Sequence, residues 1–144
     1  MSTLHHRADS SYRSEMEQPD LKHQQPRNIR NRSVAYALRA IKLFHFLETR
    51  KDGAGWILGK QYLRSATSIG ANIEEAQAGE SRSDFIHKLG IAQKEARETR
   101  YWLQLVAESG IVKMNKLKPL MEETEELVAV ITAIIVSSKK NHGG

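Results

Sequence analysis

The clearest pattern of apolar positions lies between residues 85 and 106. There, apolar or small residues recur at alternating intervals of four and three residues. The members of this pattern are Phe85, Leu89, Ala92, Ala96, Thr99, Leu103 and Val106. Such regularity over several turns predicts a helix that packs lengthwise against near-antiparallel neighbours, at a crossing angle of about 20°.

Three further segments show helical periodicity. A first helix is predicted from about Ser33, with a core stripe of Ala37, Ile41, Phe44 and Leu47 widened by Val34, Tyr36, Leu38, Leu43 and Phe46. A second is predicted from near Trp56 to Gly79, with a core face of Leu58, Tyr62, Ala66, Ile69, Ile73 and Ala76. A fourth is predicted to begin between Asn115 and Pro119, with a core face of Leu117, Leu120, Thr124, Leu127, Ile131 and Ile134.

The segments between these helices carry the residues that stop and start helices. Asp52-Gly53 and Gly55 break the chain after the first helix, and Gly110 suits a helix end. Ser81 and Asp84 resemble a capping box. Because no strand pattern appears and the connections are short, the sequence predicts an all-α, antiparallel up-down-up-down four-helix bundle over residues 31–140. Residues 1–30 lack an apolar period and are predicted to form a disordered polar arm.

Composition narrows the class of protein. The chain has 144 residues, no Cys and a formal net charge of +5. One domain is therefore expected, without a disulfide framework, a thiolate metal site or a Cys nucleophile. No apolar run is long enough for a bilayer, and the polar N-terminus does not resemble a secretory signal. We therefore expect a soluble, cytoplasmic protein.

The second predicted helix also carries a polar stripe. Gln61, Ser65, Ser68, Asn72 and Glu75 follow 4-3-4-3 spacing beside the apolar face, although Ser, Asn and the nearby Gly are poor helix formers. A solvated helix face is the ordinary interpretation of such a stripe. Solvated faces usually carry Lys, Glu and Arg, however, so we favour a surface that contacts another helix, within the bundle or between subunits.

Residues 61–110 contain a set of positions that matches the pattern of a known family. The matching positions are Gln61, Arg64, Ser65, Ala66, Ser68, Ile69, Asn72, Ile73, Glu75, Asp84, Phe85, Ala92, Glu95, Leu103 and Gly110. With these residues the region resembles the four-helix-bundle family of 23S rRNA intervening-sequence proteins, which is distantly related to the accessory variability determinant of diversity-generating retroelements. The resemblance covers residues 33–136, and its pattern departs where Glu74-Glu75-Ala76-Gln77 replaces an earlier Glu-Gly.

This resemblance implies a small bundle that assembles into a ring, commonly a homopentamer, and it implies no established catalytic activity. The expected function is a non-enzymatic oligomeric scaffold or adaptor, with RNA, DNA or a protein as open alternatives for its partner. The broad apolar surface of the first helix is one expected subunit contact, since exposed apolar area of that size is a liability on a monomer. The other is the small-residue stripe, with Gln61, Arg64, Ser65, Ser68, Asn72 and Glu75 as its residues.

The first and third predicted helices also carry several basic residues. Together they could form a patch for a polyanion, with Tyr101 or Trp102 available to stack on a base. The residues concerned are Arg32, Arg39, Lys42, Arg82, Lys94, Arg97 and Arg100. Since Glu95 and Glu98 intersperse them, ordinary solvated helix charges are the favoured interpretation.

The alternative to a non-enzymatic function is a metal-independent ribonuclease. Arg82 and His87 match the short Arg-x4-His pattern of HEPN-type ribonucleases, with His as general acid or base and Arg on the phosphate. On one helix the two residues lie about 140° apart, so they would have to converge across a dimer. Asp84 with His87, and Asp20 with His23, do not form a di-iron motif, and no cofactor fingerprint appears. We therefore predict no metal, no cofactor and no enzymatic activity.

Overall fold

The computed structural model describes residues 25–142, with side chains described for residues 29–141. Four long helices account for nearly all of them, and residues 25–142 contain no strand. The helices are α1 (Gln25–Thr49), α2 (Gly53–Gln77), α3 (Arg82–Glu108) and α4 (Met114–His142). Packing joins α1 to α2, α2 to α3, α3 to α4 and α4 to α1, so α1 and α3 lie diagonally opposite. The predicted antiparallel four-helix bundle is confirmed.

The first helix starts earlier than the sequence indicated. It begins at Gln25 rather than near Ser33, so residues 25–30 belong to the bundle and not to the predicted arm. The reason is visible one turn later, where Ile29 is buried in the core and Arg30 pairs with Glu74 of α2. The rest of the predicted arm, residues 1–24, lies outside the described residues.

The core face of α1 also differs from the prediction. Its buried positions are Ile29, Ser33, Tyr36, Ala40 and Leu47, whereas Ile41 of the predicted stripe is 37% exposed. Apolar residues surround most of this helix, so periodicity alone could not identify the buried side. The core faces of α2, α3 and α4 largely match, with Ile135 more deeply buried than the predicted Ile134.

Local capping explains the helix boundaries. The Asp52 side chain accepts a 3.1 Å hydrogen bond from the Gly55 backbone N–H, so α2 begins at Gly53 rather than near Trp56. The predicted Ser81 cap is confirmed, because Ser81 Oγ accepts a 3.1 Å bond from the Asp84 N–H. After α3 the chain turns at Gly110, whose φ of +75° is in the left-handed region that glycine adopts readily.

Two glycines of α2 bring α1 close. A Cβ at Gly70 would stand 3.1 Å from Ser33 Oγ, and one at Gly59 would stand 3.1 Å from Leu47 Cδ1. Both positions are therefore tighter than most side-chain contacts. Gly70, which costs helix propensity, is accepted because its small size lets two helices approach each other.

Candidate interaction surfaces

The predicted polar stripe of α2 lies along its junction with α3. Ser65 is fully buried there, and its Oγ accepts a 3.0 Å hydrogen bond from Thr99 Oγ1 of α3. At the end of the stripe, Lys88 Nζ of α3 lies 2.8 Å from Glu75 Oε2. Within the bundle, Ser65 therefore contacts α3 through a buried hydrogen bond, and Glu75 reaches α3 through an exposed ion pair.

Two other stripe residues, Ser68 and Asn72, form their side-chain hydrogen bonds within α2. Ser68 and Asn72 are half-buried, and each donates to a carbonyl of its own helix, Ser68 to Arg64 and Asn72 to Ser68. Gln61 and Arg64 are exposed, with an Arg64 nitrogen 3.8 Å from Glu98. Contact of these residues with a second subunit stays a prediction.

A buried polar chain joins α1, α2 and α4. Tyr62 of α2 donates a 2.8 Å hydrogen bond to the Tyr36 hydroxyl of α1, which bonds Thr124 Oγ1 of α4 at 2.5 Å. Thr124 in turn donates to the Leu120 carbonyl at 2.7 Å. Since that bond uses the proton of Thr124, Tyr36 must donate to Thr124, and every hydroxyl then has an acceptor.

Burial changes the acidity of both phenols. It raises the pKa of Tyr36 to about 12, although its hydrogen bonds with Thr124 and Tyr62 act in the opposite direction. Burial and the neighbouring Tyr36 also raise the pKa of Tyr62. Both residues stay neutral near pH 7, and their hydroxyl groups link α1, α2 and α4 through buried hydrogen bonds.

The outer side of α1 carries an apolar row. Val34, Leu38 and Ile41 are 54%, 57% and 37% exposed, and their 4-3 spacing places them on one face. We call these three residues the outer row. The ion pair between Arg30 and Glu74 and the contact of Ser33 with Gly70 fix the alignment of α1 with α2. The apolar periodicity predicted a broad apolar surface on this helix, but it placed Ile41 in the core.

The predicted basic residues do not form one patch within a single chain. Those of α1 and those of α3 lie on diagonally opposite helices. Arg32 is held by Glu123 and Glu126 of α4 at 2.8 and 3.0 Å, and Arg100 lies 3.3 Å from Glu125. The remaining members are exposed: Arg39, Lys42, Arg82, Lys94 and Arg97. Whether any of them contacts nucleic acid stays a prediction.

A hollow between α1 and α4 was not foreseen. It has a volume of about 250 Å³ and is lined by Arg39, Leu43, Phe46, Val112, Lys116, Leu117 and Leu120. Phe46 is 38% exposed at this site, and its ring has Arg50 Cζ at 5.5 Å and Lys116 Nζ at 5.9 Å from its centroid. Its residues come from distant parts of the sequence, so no local motif could reveal it. The one local signal is the 3-4-4 spacing of Arg39, Lys42, Phe46 and Arg50.

A larger groove of about 890 Å³ lies between α3 and α4. Its floor includes Leu103, Met121 and Thr124, and its rim mixes both signs of charge, with Lys118 and Glu122 among them. Such a mixed rim has no preference for one class of charged ligand.

No catalytic or metal centre is evident in the part of the chain that the structure describes. Arg82 and His87 are exposed at the start of α3, and neither side chain forms a hydrogen bond or an ion pair with another described residue. Residues 25–142 contain no cluster of three metal-ligating side chains, and none of the four helices is long and apolar enough to cross a membrane. The pair Asp20 and His23 lies outside the described residues.

Comparison with known proteins places the chain in a family. Residues 27–133 match the family model described as 23S rRNA-intervening sequence protein. The chain belongs to this family. The resemblance noted for residues 33–136 is thereby confirmed, and the match extends into the first turns of α1.

A solved structure supports the same assignment. It is the crystal structure of a protein of unknown function from the S23 ribosomal protein family of Bacteroides thetaiotaomicron VPI-5482. The two chains share 37% identity with a TM-score of 0.71, over 77% of this chain and 97% of that one. No curated protein matches the chain. Family membership thus supports the fold. It does not assign a function, because the related protein of known structure is itself described as of unknown function.

Proposed function

We propose that the protein is a non-enzymatic scaffold that works as a homo-oligomer, with a pentameric ring as the favoured assembly. The outer row of α1 is the observation that carries this proposal. Leu38 is the most exposed of its members, at 57%, and Val34 and Ile41 extend the apolar surface by one turn on each side. Covering such a row with a second copy removes apolar area from water.

The neighbouring surface of α2 supports the same contact. Leu63 and Thr67 of α2 are half-buried and lie between Gly59 and Gly70, the two positions where α2 approaches α1. Thr67 donates its hydroxyl proton to backbone carbonyls of its own helix, at 2.8 Å to Leu63, so it can enter an interface without an unsatisfied donor. These two residues can therefore extend the proposed contact from α1 onto α2.

The small-residue stripe is the second proposed contact. Ser68 and Asn72 satisfy their polar groups internally, as Thr67 does, and neither projects a long side chain. A ring needs two different faces on each subunit, because its contacts are heterologous. The outer row lies on α1 and the stripe lies on α2 near its junction with α3, so the two proposed contacts use different residues.

The assembly role is tested by a charge placed within the outer row. Leu38→Glu should lower the mass of the assembly measured by light scattering, because the carboxylate would be buried against the neighbouring subunit. Val136→Glu is the matched control, since Val136 is 47% exposed on α4 and outside both proposed contacts. The proposal fails if Leu38→Glu keeps the wild-type mass while its circular dichroism stays native, or if both variants dissociate equally.

The non-enzymatic role is tested by an RNA cleavage assay on wild-type protein and His87→Ala. We expect no cleavage by either protein. Cleavage by the wild type that is lost in His87→Ala would instead establish the ribonuclease alternative with Arg82 and His87.

A further inference from the structure

We propose that the hollow between α1 and α4 binds single-stranded nucleic acid, with an unpaired base on Phe46 and phosphates on the surrounding cations. The starting observation is the exposure of the Phe46 ring, 38%, in a pocket whose floor is apolar. Leu43, Leu117 and Leu120 form that floor. A nucleobase is a flat, largely apolar group that such a ring can stack on.

Charge determines the class of ligand. Arg39 and Lys116 line the hollow, and no carboxylate lines it. Arg39, Lys42 and Phe46 follow one another at 3-4 spacing over about 11 Å of α1, and Arg50 follows just beyond its last residue. Within the described residues, none of these cations lies within 4.0 Å of a carboxylate oxygen, in contrast to Arg32 on the same helix.

The combination of cations and one aromatic ring favours a single strand over a duplex. Cations alone would attract the phosphates of any nucleic acid. Phe46 lies within a hollow of about 250 Å³, which has room for one flat group and not for a ligand of ordinary drug size. Paired bases stay within their own stack, so only an unpaired base can reach the ring.

The proposed site is independent of the proposed assembly. The hollow lies between α1 and α4 and none of its lining residues belongs to the outer row, so RNA affinity and assembly mass report on different sets of residues. Failure of one proposal therefore does not decide the other.

The test is fluorescence anisotropy of wild-type protein with a labelled single-stranded RNA of about 12 nucleotides, from about 50 to 200 mM salt. We expect salt-sensitive binding. Phe46→Ala should weaken it roughly 5- to 150-fold, the range found for loss of one base–aromatic stack, and Phe46→Trp should retain it. Lys116→Gln should reduce the slope of log K against log salt by about one.

Two controls separate stacking from general attraction to anions. Lys94→Gln removes an exposed cation from α3, diagonally opposite the hollow, and should leave binding unchanged. A duplex of the same length should bind Phe46→Ala and wild type equally, because its bases cannot reach the ring.

Three results would overturn the proposal. The first is absence of binding at low salt, and the second is single-strand affinity that Phe46→Ala leaves unchanged. The third is equal displacement of the RNA from both proteins by polyglutamate, which would indicate an acidic-peptide site that uses the cations alone. Native circular dichroism and an unchanged assembly mass of Phe46→Ala would confirm that a loss of affinity is local.

Discussion

The two flanks of α1 are packed in different ways. On the α2 side, Gly59 and Gly70 let the helices approach until a Cβ would stand 3.1 Å from the neighbouring side chain. On the α4 side, contact is sparser, and large side chains such as Leu43 and Phe46 surround an open hollow. Small residues let α1 pack closely against α2, whereas large side chains lie between α1 and α4. The close flank serves stability, and the open flank leaves an aromatic ring and several cations available to a ligand.

The largest effect is expected from filling the close flank. Gly70→Leu should lower the free energy of unfolding by about 3 kcal/mol, because the added side chain would have to displace Ser33. Gly90→Leu is the matched control: a Cβ at Gly90 meets no atom within 4 Å, so this variant should gain about 0.5–1 kcal/mol from helix propensity. Urea denaturation measures both. Equal stability changes in the two variants would show that the close approach at Gly70 is unimportant.

Removing single hydroxyl groups from the chain that links α1 to α2 and α4 should lower the free energy of unfolding by different amounts. Tyr36→Phe removes the central hydroxyl and leaves the Tyr62 proton without an acceptor, so we expect a loss of about 2 kcal/mol. Tyr62→Phe removes only the first donor and should cost about 1 kcal/mol. Chemical denaturation of the single and double variants gives the coupling. A larger loss for Tyr62→Phe would contradict the assigned direction of the chain.

Alkaline pH should destabilise the protein through the same residues. The folded protein holds the pKa of Tyr36 at about 12, above the value of about 10 for an unfolded chain. The folded state therefore binds more protons between these values, and its stability is fully present below about pH 10 and decreases as pH rises toward 12. The slope due to Tyr36 should reach about 1.4 kcal/mol per pH unit. Denaturation at several pH values should show a shallower decline for Tyr36→Phe; an unchanged slope would refute the assignment.

The smallest effects are expected at the ion pairs on either flank. Arg32→Gln should cost about 1 kcal/mol or less, because Arg32 bridges Glu123 and Glu126 and its side chain is only 23% exposed. Arg30→Gln should cost less still, since its pair with Glu74 is about half exposed on both sides. Thermal melts at low and moderate salt rank the two. A greater loss for Arg30→Gln would show that the α2 flank depends on its ion pair.

The sequence predicted much of this fold, for identifiable reasons. Periodicity located the core faces of α2, α3 and α4 because each carries one apolar side. It failed for α1, where the apolar residues Leu38 and Ile41 face outward while Ser33 lies in the core. It also missed the start of α1, since Ile29 is a single apolar residue whose burial depends on its neighbours.

The candidate surfaces were less predictable. Ser65 was expected to contact a helix, and the spacing and size of its neighbours carried that information. The hollow beside Phe46 depends on Lys116 and Leu120, more than 60 residues away in the chain. Only the antiparallel return of α4 brings these residues together. Helix α4 also brings Glu123 and Glu126 next to Arg32. Because Arg32 pairs with these two carboxylates, its charge is not free for the predicted basic patch.

Measuring the mass of the 144-residue protein in solution tests the central claim most directly. Light scattering at micromolar concentration should give a multiple of the 16.3 kDa chain mass, with five copies favoured. A single species of 16.3 kDa across that concentration range would contradict the claim that the outer row of α1 is covered by another copy.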